Sequence, residues 1–160
     1  MVDKLEAYPT RTMCDSQRKL PACAFIKLRQ AGRLTYESER HTSGQIRVFI
    51  SSKEVEDAFE RAKARFLALG MEKTRDRNAV LIYFAPRSHK FAVVGDTAVH
   101  ERCGDAFWRQ LTGAMREALK DQQFTEAVIL AVEQCGALLA EHFPPRPDEP
   151  NELPDEIERD

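Results

Sequence analysis

The period of the hydrophobic positions changes along the chain, and each change marks an element. Gln45–Ile50 (QIRVFI) puts Ile46, Val48 and Ile50 on one face and is rich in β-branched residues, which predicts a strand. Ser51 and Glu54 then stand at capping-box spacing. Val55, Ala58, Phe59, Ala62, Phe66 and Leu69 follow at helical spacing up to Gly70, which predicts a helix closed by that glycine.

Ala79–Ala85 (AVLIYFA) is apolar throughout and of strand length, the pattern of a strand covered on both faces. Pro86, Arg87 and Ser88 form a turn, and His89–Val94 is a second strand, so the pair reads as a hairpin ended by Gly95 and Asp96. Phe107, Trp108, Leu111, Met115 and Leu119 line one helix, with Trp108 directed to the core. Phe124, Val128, Ala131, Val132, Cys135, Leu138 and Leu139 line another, stopped by Pro144 and Pro145.

Before residue 45 the pattern is weaker. Residues 1–20 have no period and read as a flexible arm. A helix over Pro21–Arg40 would share a face through Ala24, Leu28, Ala31 and Thr35. The predicted organisation is one domain over residues 21–143 followed by a Pro-rich disordered tail at 144–160. Helix, strand, helix, hairpin and two helices pack most simply as an α/β fold, a small mixed sheet of three or four strands with helices on both faces.

Composition narrows the function classes. The net charge of the 160 residues is −2. The tail holds seven acids and two arginines, which leaves the rest of the chain at only +3. A nucleic-acid partner calls for a basic stripe, and KTRDR at 73–77 is short and interrupted by Asp76. The apolar run Leu20–Ile26 is broken by Lys27 and Arg29, too short for a secretory core or a membrane span. The expectation is a cytoplasmic monomer without membrane insertion, whose partner, if it has one, is a protein. Cys14, Cys23, Cys103 and Cys135 form no C-x-x-C pair and read as reduced thiols.

Three blocks also resemble one known family, the TPM domain. TSGQIRVFI at 42–50 is similar to its opening strand, LGMEKTRDRNAVLIYFAPRSHKFAVVGD at 69–96 to its central hairpin, and FWRQLTGAMREALKDQQFTEAVILAVEQCGALLAEHFP at 107–144 to its closing helix pair. The match is nearest to the short, stand-alone bacterial members. The resemblance implies an α/β/α sandwich. Across the family it implies accessory proteins, some binding divalent cations such as calcium, and some weak acid phosphatases. Gln45 stands where many members carry Glu, and Ala79 and Ala127 where Gly is common.

Candidate chemistry gathers around acidic residues near strand ends. Asp96 is the leading candidate, with Asp76, Glu101, Asp105 and Asn78 as further ligands and Gln45 as a neutral oxygen. A hard cation takes roughly six or more oxygens from such groups. The expected cofactor is therefore calcium or magnesium, with no organic cofactor. The competing reading is that Asp96 only caps the following turn. Phosphatase chemistry needs a nucleophile or activated water beside positive charge, and Arg75, Arg77 or Arg102 could face a phosphate. No C-x5-R loop, D-x-D-x-T motif or His–Asp cluster accompanies them. The resulting expectation is a non-catalytic accessory or binding module with a divalent-cation site, the alternative being a weak metal-assisted phosphomonoesterase.

Overall fold

The computed structural model describes Arg33, Thr35, Glu37, residues 40–120 and 123–146, and Glu158–Arg159. The two regular β-segments joined by a helix are β1 (Gln45–Ile50), α1 (Ala58–Ala68) and β2 (Ala79–Ala85); β3 (Lys90–Gly95), α2 (Thr97–Lys120), α3 (Phe124–His142) and β4 (Glu158–Arg159) follow. The strands form one mixed sheet in the order β3-β2-β1-β4. β1 and β2 run parallel from Gln45↔Ala79 to Ile50↔Phe84. β2 and β3 are antiparallel from Val80↔Gly95 to Ala85↔Lys90.

Both faces of the sheet are covered, which explains the unbroken apolar run of β2. Val80, Ile82 and Phe84 join Ile46, Val48, Ile50, Phe91 and Val93 beneath α2 and α3, against Trp108, Leu111, Met115, Val128 and Leu139. Ala79, Leu81, Tyr83 and Ala85 join Phe49, Ala92 and Val94 beneath α1, against Phe59, Ala62, Phe66 and Met71. A strand's side chains alternate between faces, so a strand between two helical layers is apolar at every position. The α/β/α sandwich expected from the sequence is the observed architecture.

Three local expectations change. The capping box at Ser51 and Glu54 does not start α1. Asp57 does, its Oδ1 accepting from Phe59 N at 2.9 Å and Glu60 N at 3.1 Å. The segment between is held instead by the hairpin turn: Ser88 Oγ accepts from Val55 N at 2.7 Å, and Lys90 Nζ donates to Glu56 O. A tertiary contact thus accompanies a shift of the helix start from Ser51 to Asp57, nearly two turns. His89 does not begin β3 but sits in the turn with a left-handed backbone, φ 52°.

The third change concerns α2, which begins at Thr97, ten residues before the first predicted core position, Phe107. Its two helical stretches meet at Gly104, whose φ of 64° and ψ of 177° lie outside the helical region and are open chiefly to glycine. His100 is therefore helical rather than in a loop.

The proposed arm at residues 1–20 lies outside the described residues. Of the expected helix at Pro21–Arg40, the described Arg33, Thr35 and Glu37 are helical and Thr35 is buried. Residues 147–157 of the tail also lie outside the described residues. Glu158 and Arg159, within the tail expected to be disordered, pair in parallel with Phe49 and Ile50. Their backbone covers part of the outer edge of β1, where unpaired groups would otherwise face outward.

Candidate functional site

Because β1 and β2 are parallel and β3 is antiparallel to them, the start of β1, the start of β2 and the end of β3 share one edge of the sheet. Gln45, Asn78 and Asp96 are placed there by register, and all three are buried. Backbone bonds hold the edge together. Gln45 N donates to Asn78 O at 3.4 Å, Asp96 N donates to Ala79 O at 2.8 Å, and Ala98 N donates to Arg77 O at 3.2 Å.

The Thr-Ser-Gly turn before β1 is equally anchored. Thr42 Oγ1 donates to Phe143 O at 2.5 Å and accepts from Gly44 N at 3.0 Å. Ser43 N also donates to Phe143 O, at 3.0 Å. Ser43 Oγ in turn accepts from Asn78 Nδ2 at 3.3 Å. The opening of β1 is thus fastened to the end of α3 and to the start of β2.

Asp96 has two structural duties. Its carbonyl accepts from His100 N at 3.1 Å, the first turn of α2. Its carboxylate accepts three hydrogen bonds: Oδ2 accepts from Arg77 Nε at 2.8 Å, and Oδ1 accepts from Thr97 N at 2.7 Å and Thr97 Oγ1 at 3.3 Å. The Asp96 side chain is 3% exposed and that of Arg77 is 51% exposed, so the contact pairs a buried anion with a cation at the surface. The hydrogen bond to Asp96, followed by its charge, holds the Arg77 guanidinium above its ordinary pKa. Arg77 itself is a non-glycine residue at φ 52°, within a turn closed by Arg77 N to Thr74 O at 3.2 Å.

The other expected ligands are distributed around this centre. Asp76 precedes the edge and pairs with Arg146 Nη2 at 3.0 Å. Asp105 follows the Gly104 break and lies 3.6 Å from His100 Nε2. Glu101 is exposed on the first stretch of α2. Among the described residues there is no group of three or more His, Cys, Asp or Glu side chains placed to hold a metal ion. The edge therefore brings Asp96, Asn78 and Gln45 together and gives Asp96, Asp76 and Asp105 basic neighbours. That donor set does not fit a hard dication, which needs several oxygens carrying uncompensated negative charge.

The arginines considered for phosphate are likewise dispersed. Arg77 is paired with Asp96, and the Arg102 guanidinium lies 5.7 Å from the centre of the Phe143 ring. His41 is exposed at the turn before β1. Trp108 is buried, as expected, and meets Phe107 edge-on at 5.2 Å.

Two features of the edge escaped the sequence reading. The Arg77–Asp96 pair joins residues nineteen positions apart, and only the hairpin register, with Val80 opposite Gly95, brings them together. Among the described residues, Gln45 Oε1 is a buried acceptor without a hydrogen-bond donor, which composition and spacing give no means of anticipating.

No helix of the described residues is long and apolar enough to cross a membrane. A family model described as the TPM domain matches residues 29–138. The chain is similar to the BA42 protein of the psychrophilic bacterium Bizionia argentinensis, known from an NMR structure. Identity is 30% with a TM-score of 0.77, covering 84% of this chain and 93% of BA42. The N-terminal domain of the cg2496 protein of Corynebacterium glutamicum shares the fold at 16% identity and a TM-score of 0.52, covering 86% of this chain and 89% of that one. No curated protein matches.

Proposed function

Since the chain belongs to the TPM domain family, we propose that it is a non-catalytic accessory module that binds at the edge where β1 and β2 begin and β3 ends. The observation that carries this reading is the engagement of Asp96. A carboxylate that serves as nucleophile, or as ligand to a metal that activates water, must present a lone pair to its substrate or metal. Both oxygens of Asp96 accept hydrogen bonds from Arg77 and Thr97, and the side chain is only 3% exposed, so the carboxylate is closed to a substrate.

The edge has binding character of a different kind. The half-exposed Arg77 guanidinium and the partly buried Ser43 hydroxyl lie along one strip, backed by the buried amides of Asn78 and Gln45, of which Asn78 donates to Ser43. Such groups recognise a polar segment of a partner by hydrogen bonds without altering it. We assign the protein to the cytoplasm as a monomer that meets a protein partner. In support, both faces of its sheet are already covered by its own helices, leaving neither for a second copy.

The test is turnover of a small aryl phosphate by the purified chain, with EDTA, calcium or magnesium, for the natural sequence and for Asp96→Asn. The expected result is no hydrolysis above background in any condition, with a native circular dichroism spectrum for both proteins. Metal-dependent hydrolysis that is lost in Asp96→Asn would overturn the reading in favour of a metal-assisted phosphomonoesterase.

A further inference from the structure

We infer that the Arg77 guanidinium is a tethered counter-ion standing where a divalent cation would have to bind Asp96, so that this chain balances its buried carboxylate without metal. The inference rests on the reading of this edge as the functional one. It is tested by stability rather than turnover, so the two can fail separately.

The first argument is occupancy. Arg77 Nε takes Oδ2 of Asp96 at 2.8 Å, while Thr97 takes Oδ1 at 2.7 Å from its N–H and 3.3 Å from its hydroxyl. A cation approaching Oδ2 would meet the positive guanidinium already bonded to that oxygen, on an Asp96 side chain only 3% exposed. The second argument is charge. Asp76, the carboxylate next to Arg77 in the chain, is itself paired with Arg146. A dication added beside Arg77 would bring two positive groups to one buried negative charge, and a desolvated charge imbalance of that kind is strongly unfavourable.

The third argument is placement. The backbone delivers both partners to the contact. Asp96 N is bonded to Ala79 O at 2.8 Å, Arg77 O accepts from Ala98 N at 3.2 Å, and Arg77 N is bonded to Thr74 O at 3.2 Å. Arg77 holds a left-handed backbone at φ 52°. A non-glycine residue stays in that region only where its surroundings over-determine it, and here the turn directs the guanidinium onto Asp96. The neighbouring Gln45 contributes a neutral amide, with Oε1 buried and without a donor. With Arg77 removed, Asp96 and this oxygen would be left as uncompensated acceptors along one edge, the donor type that calcium or magnesium accepts.

The experiment measures thermal unfolding of the full chain in EDTA and in millimolar calcium or magnesium. It uses the natural sequence, Arg77→Met, Arg77→Lys, and Arg77→Met combined with Asp96→Asn. The natural protein and Arg77→Lys should unfold at the same temperature with and without metal. Arg77→Met should unfold at lower temperature in EDTA and recover at least part of the loss in calcium or magnesium. The double variant should lose that metal response. Stabilisation of the natural protein by either metal, abolished by Asp96→Asn, would overturn the inference, as would an Arg77→Met protein indifferent to both metals. Should Arg77→Met be unfolded in EDTA, refolding on addition of metal supports the inference, and failure to refold with metal overturns it.

Discussion

Gly95, the last residue of β3, lies directly against the indole of Trp108: a Cβ there would stand 2.5 Å from Cζ2 and 2.7 Å from Cη2. The absent side chain lets α2 settle onto the end of β3 next to Asp96. Both sides of this contact are rigid, one a strand backbone and the other a buried ring. Gly95→Ala is expected to lower stability by about 1–3 kcal/mol through overpacking, read as a lower urea midpoint at unchanged slope. Adding Trp108→Phe should recover part of the loss if the clash is its cause; an unchanged midpoint for Gly95→Ala alone would show that the helix can yield.

Thr42 fastens the turn before β1 to the residue that follows α3, donating to Phe143 O at 2.5 Å, and holds the turn itself by accepting from Gly44 N at 3.0 Å. Thr42→Val keeps the shape and removes both. The expected cost is about 1–3 kcal/mol, because a buried donor is left unsatisfied. Thr42→Ser should cost clearly less. A loss in Thr42→Ser as large as in Thr42→Val would show that the methyl group matters as much as the hydroxyl.

Asp57, and not the Ser51–Glu54 pair, caps α1 through two bonds from Oδ1. Asp57→Ala is expected to destabilise by about 1 kcal/mol, the usual cost of losing such a cap. Glu54 is exposed and reaches Arg87 only at 3.8 Å. Glu54→Ala should therefore change stability by less than about 0.5 kcal/mol. Denaturation of the two variants side by side decides between the caps, and a reversed order would refute the assignment.

Burial, reinforced by nearby Asp105 and opposed by a backbone hydrogen bond, pushes the Cys103 thiol up to about 11 from its ordinary 9.0. Complete burial raises Cys135 further. The linkage sign follows directly. The native chain keeps these protons after the unfolded chain has released them, so stability falls as pH rises above about 9. For Cys103 the loss continues to about pH 11. Urea midpoints across this range should fall less steeply in Cys103→Ser than in the natural protein. Near neutral pH, Cys135 in the native state should resist alkylation, since the thiolate is the reactive form and burial suppresses it; peptide mapping after brief iodoacetamide treatment reads this, and rapid labelling of Cys135 would contradict it.

The layered architecture is legible in the residues because it depends on periodicity. The unbroken run of β2 announces a strand covered twice, and the helical spacing of Phe59, Ala62 and Phe66 or of Val128, Val132, Cys135 and Leu139 announces what covers it. Local details decided by contacts between distant segments are not legible in this way. The start of α1 moved to Asp57 because Ser88 and Lys90, over thirty residues onward, hold the preceding stretch extended. The early start of α2 is hidden by Gly104, a kink at which two helical stretches meet and the period is interrupted.

The candidate edge divides along the same line. By itself the sequence determined that Asp96 closes the hairpin, that Asn78 precedes β2 and that Gln45 opens β1, since element boundaries follow from local pattern. Tertiary structure alone decided what surrounds them. Hairpin register sets Arg77 against Asp96, the return of α3 sets Arg146 against Asp76, and the helical turn after Asp96 sets His100 near Asp105. A carboxylate's chemistry depends on the charges within a few ångströms of it, and folding, through separations that no local pattern encodes, selects those neighbours.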